Sequence, residues 1–230
     1  MQATWNAAIA RAGGGECWQD AGLAWSWQAH DRQLMLNFPR AIDEAAVRRG
    51  VDAARERGAR IVGAWMSLDI DPAPLEAAGF ERGWEPWWMV AELAAIAPGG
   101  DARVSLTADV PEYGPEGRRL LTLVTGRDAT AWHAAARVEG AFAGRAWALA
   151  SAAHCGVFDM DVWPAFRRRG LGRALLRAVC SAAREAGARF ATLNATPDGA
   201  PLYTGEGFTR LGDGVTYWHH LAEENRGESR

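Results

Sequence analysis

Apolar and polar positions along this chain follow a scheme that occurs twice. Ala53-Ala54-Arg55-Glu56-Arg57-Gly58-Ala59-Arg60-Ile61 closely matches Ala182-Ala183-Arg184-Glu185-Ala186-Gly187-Ala188-Arg189-Phe190. Each copy reads as the end of an amphipathic helix, stopped by a glycine suited to the left-handed position past a helix terminus. A short apolar run follows, Ile61 to Met66 in the first copy and Phe190 to Leu193 in the second, and reads as a strand. Farther on, Leu75-Glu76-Ala77-Ala78-Gly79-Phe80 is matched by Leu202-Tyr203-Thr204-Gly205-Glu206-Gly207-Phe208, with one residue inserted. Helix, strand, short helix, Gly-Phe and final strand thus recur about 128 residues apart, as in a duplicated unit.

The scheme predicts an α/β protein of two similar tandem units, each a mixed, largely antiparallel sheet flanked by helices. The join falls near Ala94 to Arg103, where Ala-Pro-Gly-Gly-Asp suits a linker or turn. The expected division is residues 1–95 and 101–222, with a polar tail, 223–230, that frays.

Composition narrows the function classes. With 49% hydrophobic residues the chain can bury a substantial core, and a net charge of -3 argues against a protein that coats nucleic acid. No run of eighteen apolar residues occurs, so no membrane span is expected. Met1 to Gly15 lacks the basic, apolar and small-residue order of a signal peptide, which points to the cytoplasm. Cys17, Cys155 and Cys180 are too far apart for a metal site and odd in number for a disulfide framework. Cys155 and Cys180 lie in apolar stretches and read as small core residues. All 25 basic residues are arginine, which codon usage in a GC-rich genome explains without a functional cause. The chain also has 12 tryptophans. Trp25 and Trp27, and Trp84, Trp87 and Trp88, bunch in sequence; they either fill cores or form an aromatic wall.

One segment carries chemistry. Val157-Phe158-Asp159-Met160-Asp161-Val162-Trp163-Pro164-Ala165-Phe166-Arg167-Arg168-Arg169-Gly170-Leu171-Gly172-Arg173-Ala174 begins as a strand, breaks at Pro164 and enters a helix at about Gly172. Two glycines let the backbone bend tightly and approach a ligand closely. Amides at the helix start then point to one spot with the helix dipole behind them, a site for a pyrophosphate. Arg167, Arg168, Arg169 and Arg173 add cationic donors. On its own, such a stretch is equally an arginine-rich turn that caps a helix. A nucleotide-hydrolysing loop is disfavoured, since its lysine is absent, and a dinucleotide fold would want a third glycine.

The whole combination is more specific. Arg167-x-x-Gly170-x-Gly172 after Val162-x-Pro164 resembles the acyl-CoA-binding motif of the GNAT N-acetyltransferase superfamily. The resemblance continues through the helix Ala174 to Glu185, the strand Phe190 to Asn194, and Leu202-Tyr203 followed by Gly207-Phe208, about sixty residues in all. Arg137 to Ala148 resembles the family's hairpin leading into the CoA-binding strand. The resemblance implies an acyl-CoA-dependent N-acyltransferase that moves acetyl from acetyl-CoA to a primary amine by direct attack. It implies pantetheine along Met160, Asp161 and Val162, and phosphates on the backbone of Arg167, Arg168, Arg169, Gly170, Leu171, Gly172 and Arg173. Asn194 matches a position that often contacts cofactor or substrate, or else caps a strand end. Tyr203 matches the tyrosine that protonates the departing sulfur, a sensible role for a phenol with a pKa near 10, or else it packs the short helix.

A general base must take a proton from the amine, often through a water. Asp159 and Asp161 are the candidates; two apart, they face one side if the strand is regular. Asp159 is better placed, being farther from the phosphate loop, although both carboxylates could instead bond neighbouring backbone or arginine. An amide near Met160 would hold the oxyanion. His219 and His220 cannot both face one pocket on a strand. No metal is expected.

The first unit departs from the motif. The glycine turn is replaced by Asn37-Phe38-Pro39-Arg40-Ala41-Ile42-Asp43, and Glu76 stands where the second copy has Tyr203. This resembles tandem GNAT proteins in which one unit has lost catalysis, its remaining task being to complete the fold and shape the acceptor pocket. A small-molecule amine is the expected partner, with a protein amine or a longer acyl donor as alternatives, and a non-catalytic acyl-CoA sensor as the alternative of another class. Monomer and homodimer are both compatible with the sequence, and neither nucleic acid nor membrane is an expected partner.

Overall fold

The computed structural model describes residues 1–127 and 130–221, so the tail expected at 223–230 lies outside the described residues. In chain order the elements are α1 (Gln2–Ala12), β1 (Cys17–Asp20), β2 (Leu23–Gln28), β3 (Gln33–Asn37), α2 (Glu44–Glu56), β4 (Ile61–Ser67), α3 (Ala73–Ala77), β5 (Glu81–Arg82) and β6 (Trp87–Glu92). They continue with β7 (Val104–Leu106), α4 (Gly114–Arg127), β8 (Ala131–Val138), β9 (Ala141–Ser151), β10 (His154–Val162), α5 (Leu171–Glu185), β11 (Phe190–Ala195), α6 (Ala200–Thr204) and β12 (Thr209–His220). Among the described residues no helix is long and apolar enough to cross a membrane.

The chain forms two compact units. The smaller comprises Asn6–Glu85 and the described residues from Gly214 onward; the larger comprises Met1–Trp5 and Pro86–Asp213. Each is a mixed sheet flanked by helices, with one parallel pair, β3 with β4 in the smaller unit and β10 with β11 in the larger, among antiparallel neighbours.

These units differ from the expected linear division at residues 95 and 101. Trp87 to Glu92 of β6 pair antiparallel with Ala195 to Phe190 of β11, so β6 completes the larger unit. Thr209, Arg210, Gly212 and Asp213 of β12 pair with β6, whereas Gly214 to His220 pair with β4 of the smaller unit. β6 therefore belongs to the larger unit, and only the second half of β12 belongs to the smaller. Sheet pairing needs a free edge of matching register, not sequence proximity, which is why a linear reading does not foresee such a division.

In the smaller unit α2 lays Val47, Val51 and Ala54 onto Leu23, Trp25, Leu34, Leu36, Val62 and Tyr217. Gly50 lies on the same helix, and a Cβ there would meet the Trp25 ring at 2.3 Å, so the glycine permits the close approach. In the larger unit Leu171, Leu175, Leu176, Val179 and Ala183 of α5 are buried with Ala134, Ala146, Ala148, Val157 and Leu193. Alanines on the strands let the helix sit close, and each fully buried leucine contributes about 1.5–3 kcal/mol. Cys155 and Cys180 belong to this core, and burial pushes the Cys155 thiol up to about 12.

α2 and α5 are followed by Gly58 (φ +67°) and Gly187 (φ +97°), and α3 and α6 by Gly79 (φ +86°) and Gly207 (φ +91°). Left-handed glycines follow each of these helices, as expected for Gly58 and Gly187.

Candidate functional site

The site is built where β10 and β11 separate. Their parallel rungs are His154 with Phe190, Cys155 with Ala191 and Gly156 with Thr192, and there the ladder stops. Both strands go on, β10 to Val162 and β11 to Ala195, each keeping its outer partner, β9 and β6 respectively. The inner edges past Gly156 and Thr192 therefore bound a cleft with backbone groups available to an extended ligand arm.

A bulge shapes the β10 side of this cleft. Phe158 pairs with Trp147 and Asp161 with Arg145, so three steps on β10 face two on β9. Asp159 takes up the extra residue at φ +46°, a left-handed conformation that costs a residue with a side chain about 1–3 kcal/mol. The strand is thus irregular where the two carboxylates stand, and the condition for their sharing one face is not met. Asp159 accepts from Arg145 Nη2 at 2.8 Å, while Asp161 faces Arg167 Nη2 at 3.4 Å. Arg145 in turn lies under the rings of Tyr113 and Trp163, 5.7 and 5.8 Å from their centroids. Tyr113 Oη and His133 Nε2 share a hydrogen bond of 2.8 Å, and burial first, then the Arg145 charge, helps hold His133 down to about 4. Nothing in the sequence marks this group beyond a single arginine in an alanine-rich strand.

The turn after β10 leads into α5. Arg167 Nε donates to the Val162 carbonyl at 2.8 Å and folds the turn back on the strand. Arg168 is left-handed at φ +64°, as is Gly170 at φ +79°, which is the residue preceding the helix. No side chain caps α5, so the amides of Leu171, Gly172 and Arg173 at its first turn keep their donors for a ligand. A Cβ on Gly172 would come 3.1 Å from Leu202 Cδ1 and 3.9 Å from Val162 Cγ2, so the missing side chain keeps open the space between α5, α6 and β10. These features fit a pyrophosphate. Among the described residues Arg168 and Arg169 have no carboxylate partner, whereas Arg173 is engaged by Glu206 at 2.7 Å.

Glu206 is a residue that sequence reasoning missed. Its side chain is 2% exposed and is held by Arg173 and, in a two-pronged contact of 2.6 and 3.0 Å, by Arg177. It ties the segment after α6 to α5. Tyr203 is 9% exposed, its ring edge-on to Phe208 at 6.0 Å. Among the described residues its hydroxyl has no hydrogen-bond partner, and burial pushes its pKa up to about 12. Asn194, on the β11 side of the cleft, donates from Nδ2 to Gln2 Oε1 at 3.0 Å.

The smaller unit lacks both features. Its parallel pair β3 and β4 stays zipped from Gln33 with Ile61 to Asn37 with Trp65, and Phe38 N bonds Trp65 O at 2.8 Å beyond that. Phe38 has φ +45°, the counterpart of Asp159. The start of α2 is capped by its own Asp43, whose carboxylate accepts from Ala46 N at 2.8 Å.

Residues 127–210 match the model of the acetyltransferase (GNAT) domain. That stretch marks an acetyltransferase, an enzyme of acyl transfer from acyl-CoA. A search of curated proteins found no match. Solved structures share the fold along most of its length. A GCN5-related N-acetyltransferase from Kribbella flavida is 17% identical with a TM-score of 0.64, covering 96% of this chain and 94% of its own. One from Sphaerobacter thermophilus is 17% identical, TM-score 0.60, covering 87% and 77%. A tandem GNAT protein from the clavulanic acid biosynthesis pathway is 18% identical, TM-score 0.56, covering 90% and 82%.

Proposed function

We propose that this GNAT enzyme transfers an acetyl group from acetyl-CoA to a primary amine of a small molecule, by direct attack of the amine on the thioester. The observation that carries the reading is the parting of β10 and β11 at Gly156 and Thr192, with the cleft leading to the uncapped start of α5. The pyrophosphate would rest on the amides from Arg167 to Arg173, with Gly172 giving it room and Arg168 and Arg169 adding charge. The pantetheine arm would run beside Met160, Asp161 and Val162. A strand amide near Met160 would receive the oxyanion, and one such donor supplies about 3 kcal/mol of barrier lowering.

The amine must lose a proton, and Asp159 would take it through a water, held in place by its bond to Arg145. The departing sulfur would take a proton from Tyr203, whose hydroxyl has no hydrogen-bond partner among the described residues. The elevated pKa of Tyr203 keeps the proton on the oxygen at every physiological pH.

The same reading treats the smaller unit as a second GNAT-like repeat that holds no acyl-CoA. Its zipped strands leave no cleft, and Asp43 places a negative charge at the helix start where a phosphate would need to sit. A small acceptor and a cytoplasmic setting, where acetyl-CoA is at hand, complete the proposal.

Calorimetric titration of acetyl-CoA tests it, alongside Gly172→Trp, which should block the space against Leu202 and Val162. Saturable micromolar binding by the parent, lost in the variant, supports the cofactor site and opens a screen of amines by thiol release. No binding by the parent sinks the acetyl-CoA reading.

A further inference from the structure

The first residues of the chain belong to the larger unit and touch both sides of the cleft. Trp5 lies flat on Phe158 of β10, ring centroids 4.8 Å apart and planes within 5°, and leans on Trp147 of β9 at 5.4 Å. On the opposite side, Gln2 accepts from Asn194 of β11 at 3.0 Å. At the apex, Gly156 leaves its side-chain space to Phe158 and to Met1, whose Cβ would be 3.1 Å from a Cβ on that glycine. Phe158 and Asn194 are the cleft-lining neighbours of the last parallel rung, so one helical segment spans the inner end of the opening.

A thioester anchored by its phosphates at α5 and running from Val162 toward Met160 brings its acyl carbon to the bulge at Asp159. The next residues inward are Phe158 and Gly156. An acyl chain that extends past the carbonyl therefore meets the Trp5–Phe158 stack and the Gln2–Asn194 bond. We propose that Trp5 is a specificity-determining residue that limits the acyl group to acetyl or its shortest homologues, by filling the apolar space into which a longer chain would grow. This rests on the acyl-CoA reading of the cleft given above. Trp5 touches the donor's acyl end, not the reacting atoms, and no proton passes through it.

The test compares affinities, which need no acceptor. Free CoA, acetyl-CoA, butyryl-CoA and octanoyl-CoA are titrated into the parent, Trp5→Ala and Trp5→Phe. The parent should bind free CoA and acetyl-CoA within a few-fold of each other, and octanoyl-CoA at least about tenfold more weakly, since its methylenes find no apolar space. Truncation of an aromatic ring leaves an apolar cavity that takes up apolar ligands. Trp5→Ala should thus strengthen octanoyl-CoA binding about tenfold relative to acetyl-CoA. The conservative Trp5→Phe keeps a ring on Phe158 and should retain the parent's order. Octanoyl-CoA binding the parent as tightly as acetyl-CoA, or an unchanged octanoyl-to-acetyl ratio in Trp5→Ala, overturns the proposal. Should Trp5→Ala lose acetyl-CoA as well, Trp5→Phe decides: a parent-like ratio supports the gate and a loss of all binding refutes it in favour of a structural role. Failure of the parent to bind any of the four ligands overturns the acyl-CoA reading itself, and the gate with it.

Discussion

Tyr203→Phe separates chemistry from packing more cleanly than any other single change here. The ring is 9% exposed and packs edge-on to Phe208, so phenylalanine keeps every apolar contact. The hydroxyl has no protein partner among the described residues, so its removal strands no donor or acceptor. The variant should therefore be about as stable as the parent at neutral pH. Catalysis should behave in the opposite way. General acid catalysis is worth about 10²–10⁴ in rate, and burial has made this phenol a weaker acid than an exposed tyrosine. The lower end applies: kcat should fall about 10²-fold, or about 2.7 kcal/mol of barrier, with the affinity for acetyl-CoA unchanged. The assay is thiol release with an amine from the acceptor screen, beside thermal unfolding of both proteins. A second reading comes from alkaline unfolding. The folded-state pKa of about 12 lies above the ordinary 10, so the native state keeps its proton where the unfolded chain has lost it. Stability from this group is intact below pH 10 and declines as pH rises from 10 to about 12, by roughly 3 kcal/mol in all. The parent should lose that amount relative to Tyr203→Phe over this interval. Turnover within threefold of the parent would refute the proton-donor role and leave Tyr203 a packing residue.

Three further outcomes follow from the same geometry. Asp159→Asn should lower kcat about 10²-fold or more and Asp161→Asn only a few-fold, since the first lies at the acyl end of the cleft; the reverse order in thiol-release assays would move the base to Asp161. Glu206→Gln should cost about 1–3 kcal/mol in denaturant unfolding, because two arginines lose their shared buried carboxylate while both retain some access to water; an unchanged midpoint would show that the clamp holds nothing. Asp43→Ala should cost about 1 kcal/mol through loss of the α2 cap and leave acetyl-CoA affinity untouched; altered affinity in calorimetry would contradict the view that the smaller unit holds no cofactor.

Local chemistry made much of this protein legible in its sequence. Gly58 and Gly187 mark where helices end, because left-handed backbone favours glycine, and both are left-handed in the structure. Arg167-x-x-Gly170-x-Gly172 marks an uncapped helix start for the same reason: the residues that define it are neighbours along the chain. What only the tertiary structure decided involves residues far apart in sequence. The pairing of β6 with β11, and of the second half of β12 with β4, depends on which sheet edge is free. The point at which β10 and β11 part depends on what each pairs with on its other side. The bulge at Asp159 gives the two carboxylates different arginine partners, although a regular strand would have set them on one face. Glu206, an exposed-looking acid between two glycines, is buried because Arg173 and Arg177 reach it from the next turns of α5. Trp5 and Gln2 come to the cleft from the start of the chain, 153 residues from Phe158 and 192 from Asn194, and no periodicity connects residues at such separations.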